Sequence, residues 1–588
     1  VRAGPRGGGH ARGKEKRLNL VWGLAALAAA GLLFWYAWRA FRRGRPDAAA
    51  VAIVAAGLAL RLYAGCDLFL HAWDERYHAL VAKHLADHPL VPTLYDRPLL
   101  PYDYRDWRSN HVWLHKPPLA LWMMAASMRL LGTDEIAMRL PSLLLAALAI
   151  FMTYVIGSHF WGRRVGLLAA AFHAVNGYLL QLPGGRVAVD HVDNALLFFV
   201  ELAIFLAVLQ ARSRRWWWAW LPAIGAAAGL AVLSKWLPGL LPLPVWLALA
   251  WGRQRPSRIA AGLVVIAAAC AAVALPWQLY IRQAFPLEAH WESAYNLYHL
   301  RVPIEGLGGS PLYFVAEMPR FFGELIYLPV AWFLFELVRS HLPLRSPRSL
   351  ARRGAAAAAG SDPGRDDGQV AARQQTPGQR RPEGHEGRGL LPLATWLLVP
   401  YVAFSLAATK LGGYVMVAAP ALFIVEASFW FWLWEHRPTG PLRLLRLSAL
   451  ALVPLLPLRY TVERMKIRPS YDRNPPWVRA LRELPARLGP GPLVLFHLDQ
   501  PLEAMFYTPY VAYEGVPSPF EVRRLRGAGY RVVVLDADAA PPELRQVPGV
   551  ELRREAIPPS PLDDGTGFRL LRVGGSDSPL AGTTSEPP

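Results

Sequence analysis

The chain alternates long apolar runs with short polar links. Segments of about 16 to 22 residues recur along it, each close to the roughly 20 that carry an α-helix through a hydrocarbon layer about 30 Å thick. Read this way, the hydropathy pattern predicts spans near 19–38, 48–66, 139–158, 165–180, 194–210, 216–233, 237–252, 259–277, 324–339, 391–408, 415–435 and 447–459. Two longer polar and aromatic stretches, 67–138 and 278–323, interrupt the series. A third, 340–390, turns to Arg, Gly, Pro, Gln and Ala with no apolar period, the composition of a disordered linker. After Tyr460 the period shortens to strand-like runs at 493–497, 531–535 and 568–573, with amphipathic stretches such as 520–525 between them and a polar tail at the end. The expected fold is therefore mainly α, a polytopic membrane protein with about 12 transmembrane helices and a small C-terminal soluble α/β domain. Its parts are a basic N-terminus with an extra hydrophobic helix (1–47), a membrane domain (48–459) and the α/β domain (460–588).

Composition agrees. With 54% of its 588 residues apolar and only 18% charged, the chain is not a single soluble domain. A formal charge of +20 would suggest nucleic acid in a soluble protein, so its position decides what it means. The basic links around Arg163–Arg164, Arg212–Arg215, Arg253–Arg258 and Arg437–Arg446, and the long link from Arg339 to Arg388, fall on one side if the spans alternate. That side is cytoplasmic. The other side receives 67–138, 181–193, 234–235, 278–323, 409–414 and everything after 460. Residues 460–588 carry sixteen basic and sixteen acidic side chains, so the entire excess lies earlier in the chain and marks topology. The partners expected are membrane lipids and no nucleic acid. Six basic residues in 1–17 and four in 39–45 flank one span, so either helix 19–38 lies in the interface or the basic head is outside. No small-residue cleavage site follows 19–38, which argues against a cleaved signal peptide. Cys66 and Cys270 are too few for a disulfide framework or a thiolate metal site.

Polar clusters gather on the side opposite the basic links. Asp74 and Glu75 stand where a span emerges, with Tyr77 after them, placed to take a proton from a hydroxyl arriving from water or simply to cap a helix. His115-Lys116-Pro-Pro leads into a short apolar stretch, 120–131, that reads as an interfacial helix. Lys116 at its start suits a phosphate, or ordinary snorkelling. Gly184-Gly185-Arg186 precedes Asp190 and Asp193, two carboxylates three apart on one helical face. Thr409-Lys410-Leu-Gly-Gly-Tyr414 makes a very short turn. The stretch 276–320 brings Tyr280, His290, Trp291, Tyr295, His299 and Arg301, a composition shared by sugar sites and membrane-surface helices.

In order along the chain, these elements carry a resemblance. Asp74-Glu75-x-Tyr77, His115-Lys116-Pro-Pro-Leu with Trp122, Arg139-Leu-Pro-Ser142, Arg186 to Asp193 before Phe198-Phe199, Leu233-Ser-Lys235, Pro276-Trp277, and Lys410 to Tyr414 before Pro420 resemble the polyprenyl-phosphate-sugar-dependent membrane glycosyltransferases of the GT-C type. That group, glycosyltransferase family 39 among it, includes the lipid A aminoarabinose transferases and the protein O-mannosyltransferases. The resemblance covers most of 48–435. It implies an enzyme that moves a sugar from a polyprenyl-phosphate donor to an acceptor at the outer face, with inversion and without a nucleotide sugar. The acceptor could be lipid A, a glycan or a protein hydroxyl. By the same likeness Asp74 is the base or acceptor-orienting carboxylate, and Asp193 or Asp190 the second carboxylate. Lys116, Lys410, Tyr414 and Arg186 would face the donor phosphate and lipid, and Glu75, Tyr77, His115 and Arg301 the substrate. A prokaryotic inner membrane is the expected location, with the site and the C-terminal domain on the extracytoplasmic face.

Rival readings are weaker. Asp536-Ala-Asp538 has the form of a metal and nucleotide-sugar motif, but it follows a strand-like run in the outer domain, where two Asp are common turn chemistry. No His or Cys spacing calls for structural zinc, so no cofactor is expected beyond a possible divalent cation. A transporter or flippase of lipid-linked sugars would need charges along a path through the spans, and there Glu201 and Glu426 are the main ionisable residues.

Overall fold

A computed structural model describes residues 8–213, 216–341, 389–436, 442–536, 538, 541–554, 557–558 and 560. The twelve apolar segments all fall on helices, but their lengths divide them. Seven are long and apolar enough to cross a membrane: Asn19–Arg42, Pro46–Ala64, Glu135–Trp161, His191–Arg212, Pro256–Ala284, Gly412–Glu435 and Arg443–Arg464. Arg163–Val175 followed by Gly177–Gly184, bent by 54°, makes an eighth if the pair is one span. The others are shorter. Trp220–Lys235 has 16 residues, Tyr327–His341 has 15 and Leu390–Leu406 has 17, about 23 to 26 Å at 1.5 Å per residue. Hydropathy alone overlooks the 54° bend at Asn176 inside the expected span 165–180, whereas the expected turn at 234–235 is present: Trp236 sits at φ 53 and its N–H bonds Val232, dividing the apolar run 220–250 into two helices. The chain is an integral membrane protein, mainly α.

It divides into two compact units. The first comprises Val1–Leu68, Trp73–Asp96 and Tyr102–Arg473. Its core is a continuous apolar cluster from the helices at 135–175, 191–212, 220–266, 390–406 and 412–435, with Ile224, Leu393, Ala418, Leu422 and Ile424 fully buried. Short helices lie in the loops, among them Asp74–Leu85, Leu119–Leu131 and Pro286–Arg301. The expected interfacial helix at 120–131 is the second of them.

The second unit comprises Phe69–Ala72, Arg97–Pro101 and Asn474–Pro588. It holds a parallel sheet of order β2-β1-β3-β4, with β1 Leu493–Phe496, β2 Val511–Ala512, β3 Arg531–Val534 and β4 Val550–Leu552. The helices Pro501–Tyr507 and Pro519–Gly527 make the crossovers, the latter opened by a Ser518/Glu521 capping box. Val494, Phe496, Val522, Leu525, Val532 and Val534 form its core. Two of the expected strands are therefore present. The run at 568–573, residues 1–7, the linker at 342–388 and the polar tail lie outside the described residues. The division falls at Asn474 instead of 460 because the helix Leu442–Arg464 runs on past Tyr460, and Arg473 is bonded to the Tyr63 carbonyl and to Asp67 of the first unit.

Candidate active site

Two helix N-termini supply the carboxylates. Asp74 and Glu75 open the helix Asp74–Leu85, and Asp190 caps His191–Arg212 by accepting from the Val192 N–H at 3.2 Å, which places Asp193 in its first turn. Acidic side chains are favoured at these positive helix ends. Neighbours along the chain then meet different surroundings.

Asp74 and Asp193 each face a lysine. Lys116 Nζ lies 3.6 Å from Asp74 Oδ2, with the side chains 17% and 25% exposed. Lys235 Nζ donates to Asp193 Oδ1 at 2.6 Å and stands 4.7 Å above the Tyr414 ring, a cation–π contact. Burial alone would lower the Lys116 ammonium, but Asp74 first, then Asp193, Asp190 and Glu305, hold its pKa above the ordinary value. These groups share one electrostatic site. Burial, joined by Asp74, raises the Glu305 carboxyl. On the flank of Lys116, the His115 ring stacks on Trp107 at 4.5 Å with 5° between planes, and its Nδ1 is 3.4 Å from Glu292. Burial and then Lys116 push His115 well below its usual pKa, and burial pushes Glu292 up to about 7. Tyr77 meets the same Trp107 at 4.9 Å, and Tyr295 lies 5.6 Å from His115.

Glu75, in contrast, is sealed. Arg139 grips it through two bonds of 2.7 and 2.9 Å, and His191 Nε2 is 3.2 Å from the same carboxylate. Gly185, at φ 71, lies so close that an added Cβ would fall 2.1 Å from Glu75 Oε1, which is why this turn takes glycine. Arg186 is buried on Asp67 at 2.8 Å, and Asp67 also accepts from Arg473 at 2.7 Å and Tyr471 at 2.9 Å. Asp190 pairs with His78 Nδ1 at 2.6 Å; burial opposes ionisation, but the imidazole holds this carboxyl below the usual range. Lys410 turns to the carbonyls of Phe404, Ser405 and Ala407 at the end of Leu390–Leu406. Arg301 is exposed at the end of Pro286–Arg301.

Of the residues singled out in the sequence, the structure thus brings together Asp74, Lys116, Asp193, Tyr414, His115 and Tyr77. Glu75, Arg186, Asp190 and Lys410 are engaged in buried pairs or helix-end bonds. Lys235, Trp107, Glu292 and Glu305 join the site without having been singled out as site residues. A lysine closing an apolar helix was the available signal for Lys235. Trp107, Glu292 and Glu305 stand in polar loops, where side chains of their kind are ordinary. Glu201, fully buried, accepts from Thr153 at 2.6 Å. Among the described residues no group of three or more His, Cys, Asp or Glu is arranged to hold a metal ion.

Known proteins resemble the stretch that carries much of this arrangement. Residues 115–279, which include Lys116, Asp193 and Lys235 but not Asp74, match the family model described as dolichyl-phosphate-mannose-protein mannosyltransferase. An undecaprenyl phosphate-α-4-amino-4-deoxy-L-arabinose arabinosyl transferase of Pseudomonas aeruginosa (strain LESB58) is 27% identical over 326 residues, 53% of this chain and 49% of that protein. A transferase of the same name from Pseudomonas fluorescens (strain Pf0-1) is 26% identical over 379 residues, 61% of this chain and 57% of the relative. The chain thus spans about half the length of the curated relatives it matches. Crystal structures of ArnT from Cupriavidus metallidurans, bound to undecaprenyl phosphate and in the apo state, superpose with TM-scores of 0.52 and 0.53 at 16% identity, covering 81% of this chain and 87% and 90% of theirs. These matches bear out the resemblance to the GT-C glycosyltransferases and the GT-C-type fold.

Proposed function

We propose that the chain is a glycosyltransferase that moves a sugar from a polyprenyl-phosphate donor to an acceptor hydroxyl on the extracytoplasmic face of a prokaryotic inner membrane. The observation that carries this reading is the pair of carboxylate–ammonium contacts, Asp74 with Lys116 and Asp193 with Lys235, sharing one electrostatic site beside an aromatic wall. At 3.6 Å and partly exposed, the Asp74–Lys116 pair is the looser one and is free to exchange partners. Lys116 then turns to the donor phosphate and Asp74 to the acceptor. A bond forms between the acceptor oxygen and the anomeric carbon, the bond from that carbon to the phosphate oxygen breaks, and Asp74 takes the hydroxyl proton. Attack from the face opposite the leaving phosphate inverts the anomeric centre. Lys116 and Lys235 supply the positive charge that the departing phosphate needs, in a site where such charge acts strongly. Trp107, Tyr77 and His115 offer faces for a sugar ring.

The matched relatives carry transferase names with an undecaprenyl-phosphate donor, which supports the same donor class here. Lipid A, a glycan or a protein hydroxyl is the acceptor, and mass spectrometry of membrane lipids and envelope proteins from cells with and without the gene identifies which. Cells carrying only the Lys116→Ala protein are expected to show the pattern of cells lacking the gene while the protein stays inserted. A wild-type pattern would remove Lys116 from the mechanism. Cysteine labelling at position 74 from outside the cell tests the orientation.

A further inference from the structure

The loop that carries Asp74 and Lys116 does not belong wholly to the membrane unit. Two of its segments, Phe69–Ala72 and Arg97–Pro101, fold as parts of the C-terminal unit. Each is held there by defined bonds. The Leu70 N–H donates to the Tyr507 hydroxyl at 3.1 Å, and Phe69 meets Trp477 edge to face at 6.1 Å. The Leu99 and Leu100 N–H groups both donate to the Tyr513 hydroxyl, at 3.0 and 3.1 Å, and Arg524 bonds the Leu99 carbonyl. The Leu99 and Leu100 side chains pack on the sheet core of Val494, Phe496, Val522 and Val532.

Chain connectivity gives these anchors their meaning. Ala72 is one residue from Trp73 and two from Asp74. Pro101 lies in an excursion whose base is closed by the Thr93–Val112 bridge, with Leu94 N–H on His111 and Trp113 N–H on Pro92. The same excursion delivers Trp107, which stacks on His115 beside Lys116, and the Trp113 indole holds the Trp107 carbonyl at 2.9 Å. The two short anchors therefore lie immediately before the catalytic carboxylate and shortly before the donor-phosphate lysine.

We infer that the C-terminal α/β unit is a positioning element for the transfer site: through Tyr507 and Tyr513 it fixes the two loop segments that present Asp74 and the Trp107–His115–Lys116 stretch. Its role is then to limit the freedom of a catalytic loop, without contributing a reacting group. This rests on the reading of Asp74 and Lys116 given above.

The test uses the full-length protein in lipid nanodiscs, with undecaprenyl phosphate-α-4-amino-4-deoxy-L-arabinose and an envelope lipid extract as the probe substrates. The Tyr507→Phe/Tyr513→Phe double variant removes only two hydroxyls and leaves both rings in place. Amide exchange in 69–80 and 98–118 should speed about tenfold or more, while exchange in β1 and β3 stays as in the wild type. Transfer should fall about tenfold in kcat with the donor KM changed less than twofold, because the reacting groups are intact and only their placement is loosened. Tyr513→Phe alone should fall between the two. Wild-type kcat in the double variant, or faster loop exchange with no loss of kcat, overturns the inference. Loss of protection throughout β1 and β3 also counts against it, since the hydroxyls would then be serving the unit's own fold. Asp74→Asn, run alongside, separates the two ideas: if it transfers normally the site reading fails, and if it is dead while the tyrosine variants are normal only the positioning role fails.

Discussion

Asp74 and Glu75 are adjacent carboxylates at one helix start, and they have opposite fates. Asp74 is a quarter exposed and meets Lys116 at 3.6 Å, whereas Glu75 is sealed and gripped by Arg139 at 2.7 and 2.9 Å. The contrast repeats on the facing helix, where Asp193 meets Lys235 near the Tyr414 ring and Asp190 is locked on His78. The tight pairs also join the two helices: Glu75 to His191 and His78 to Asp190. One set of charges thus spans a fixed scaffold, and the other set, a residue or three away, is left able to change partners. A charge serves as scaffold when every lone pair has a buried donor, and serves chemistry when its partner can be replaced by substrate.

The sharpest way to break this comparison is to neutralise both neighbours in turn. Asp74→Asn is expected to cut transfer about 1,000-fold, within the range typical for removing a positioned base, and to leave the melting temperature unchanged. Glu75→Gln is expected to do the reverse in kind. It leaves Arg139 buried without its counter-charge, costs about 3 kcal/mol or more of stability, and lowers the yield of folded protein in detergent. Should Glu75→Gln fold normally and lose only transfer, the division between scaffold and chemistry is misplaced. On the facing helix, Lys235→Met is expected to reduce kcat about 10- to 100-fold, less than Asp74→Asn because Lys116 still faces the phosphate. Thermal stability should fall as well, because the buried Asp193 carboxylate loses its 2.6 Å counter-charge.

Much of this was legible in the amino-acid order. The positions of the helices followed from apolar runs, and β1 and β3 from the change of period after Tyr460. Asp74 and Lys116 stood out through the order of the polar clusters along the chain, since each alone had an ordinary reading as a helix cap or a snorkelling lysine. What the sequence did not carry was partnership. Arg186, Asp190 and Lys410 look as available as Lys116 in one dimension, but Asp67, His78 and three backbone carbonyls, all supplied by the fold, claim them. Asp67 is the clearest case. It lies just after a span with nothing to mark it, and it collects Arg186, Tyr471 and Arg473 from positions more than a hundred residues away. One span was misjudged for a related reason: hydropathy sums composition along the chain, while the backbone at Asn176 bends the run 165–180 by 54°.

The smallest expected effect concerns Glu292, which stands between the two classes, buried like the scaffold but 3.4 Å from the His115 ring. Burial pushes its carboxyl up to about 7. The folded state therefore holds this proton more tightly than the unfolded chain, whose Glu releases it near 4.5. Its stabilising contribution is complete below about pH 4.5 and is lost as pH rises through about 7, a change on the order of 3 kcal/mol at most. Glu292→Gln cannot release a proton, so its melting temperature should stay flat where that of the wild type declines between about pH 4.5 and 7, most steeply near the middle of that window. His115 acts on the carboxyl in the same sense, since burial and then Lys116 hold its ring well below its usual pKa and so favour the uncharged imidazole beside Glu292. Identical melting profiles for the two proteins would mean that Glu292 is ionised in the fold, and it would then belong with Asp74 among the charges held ready for substrate.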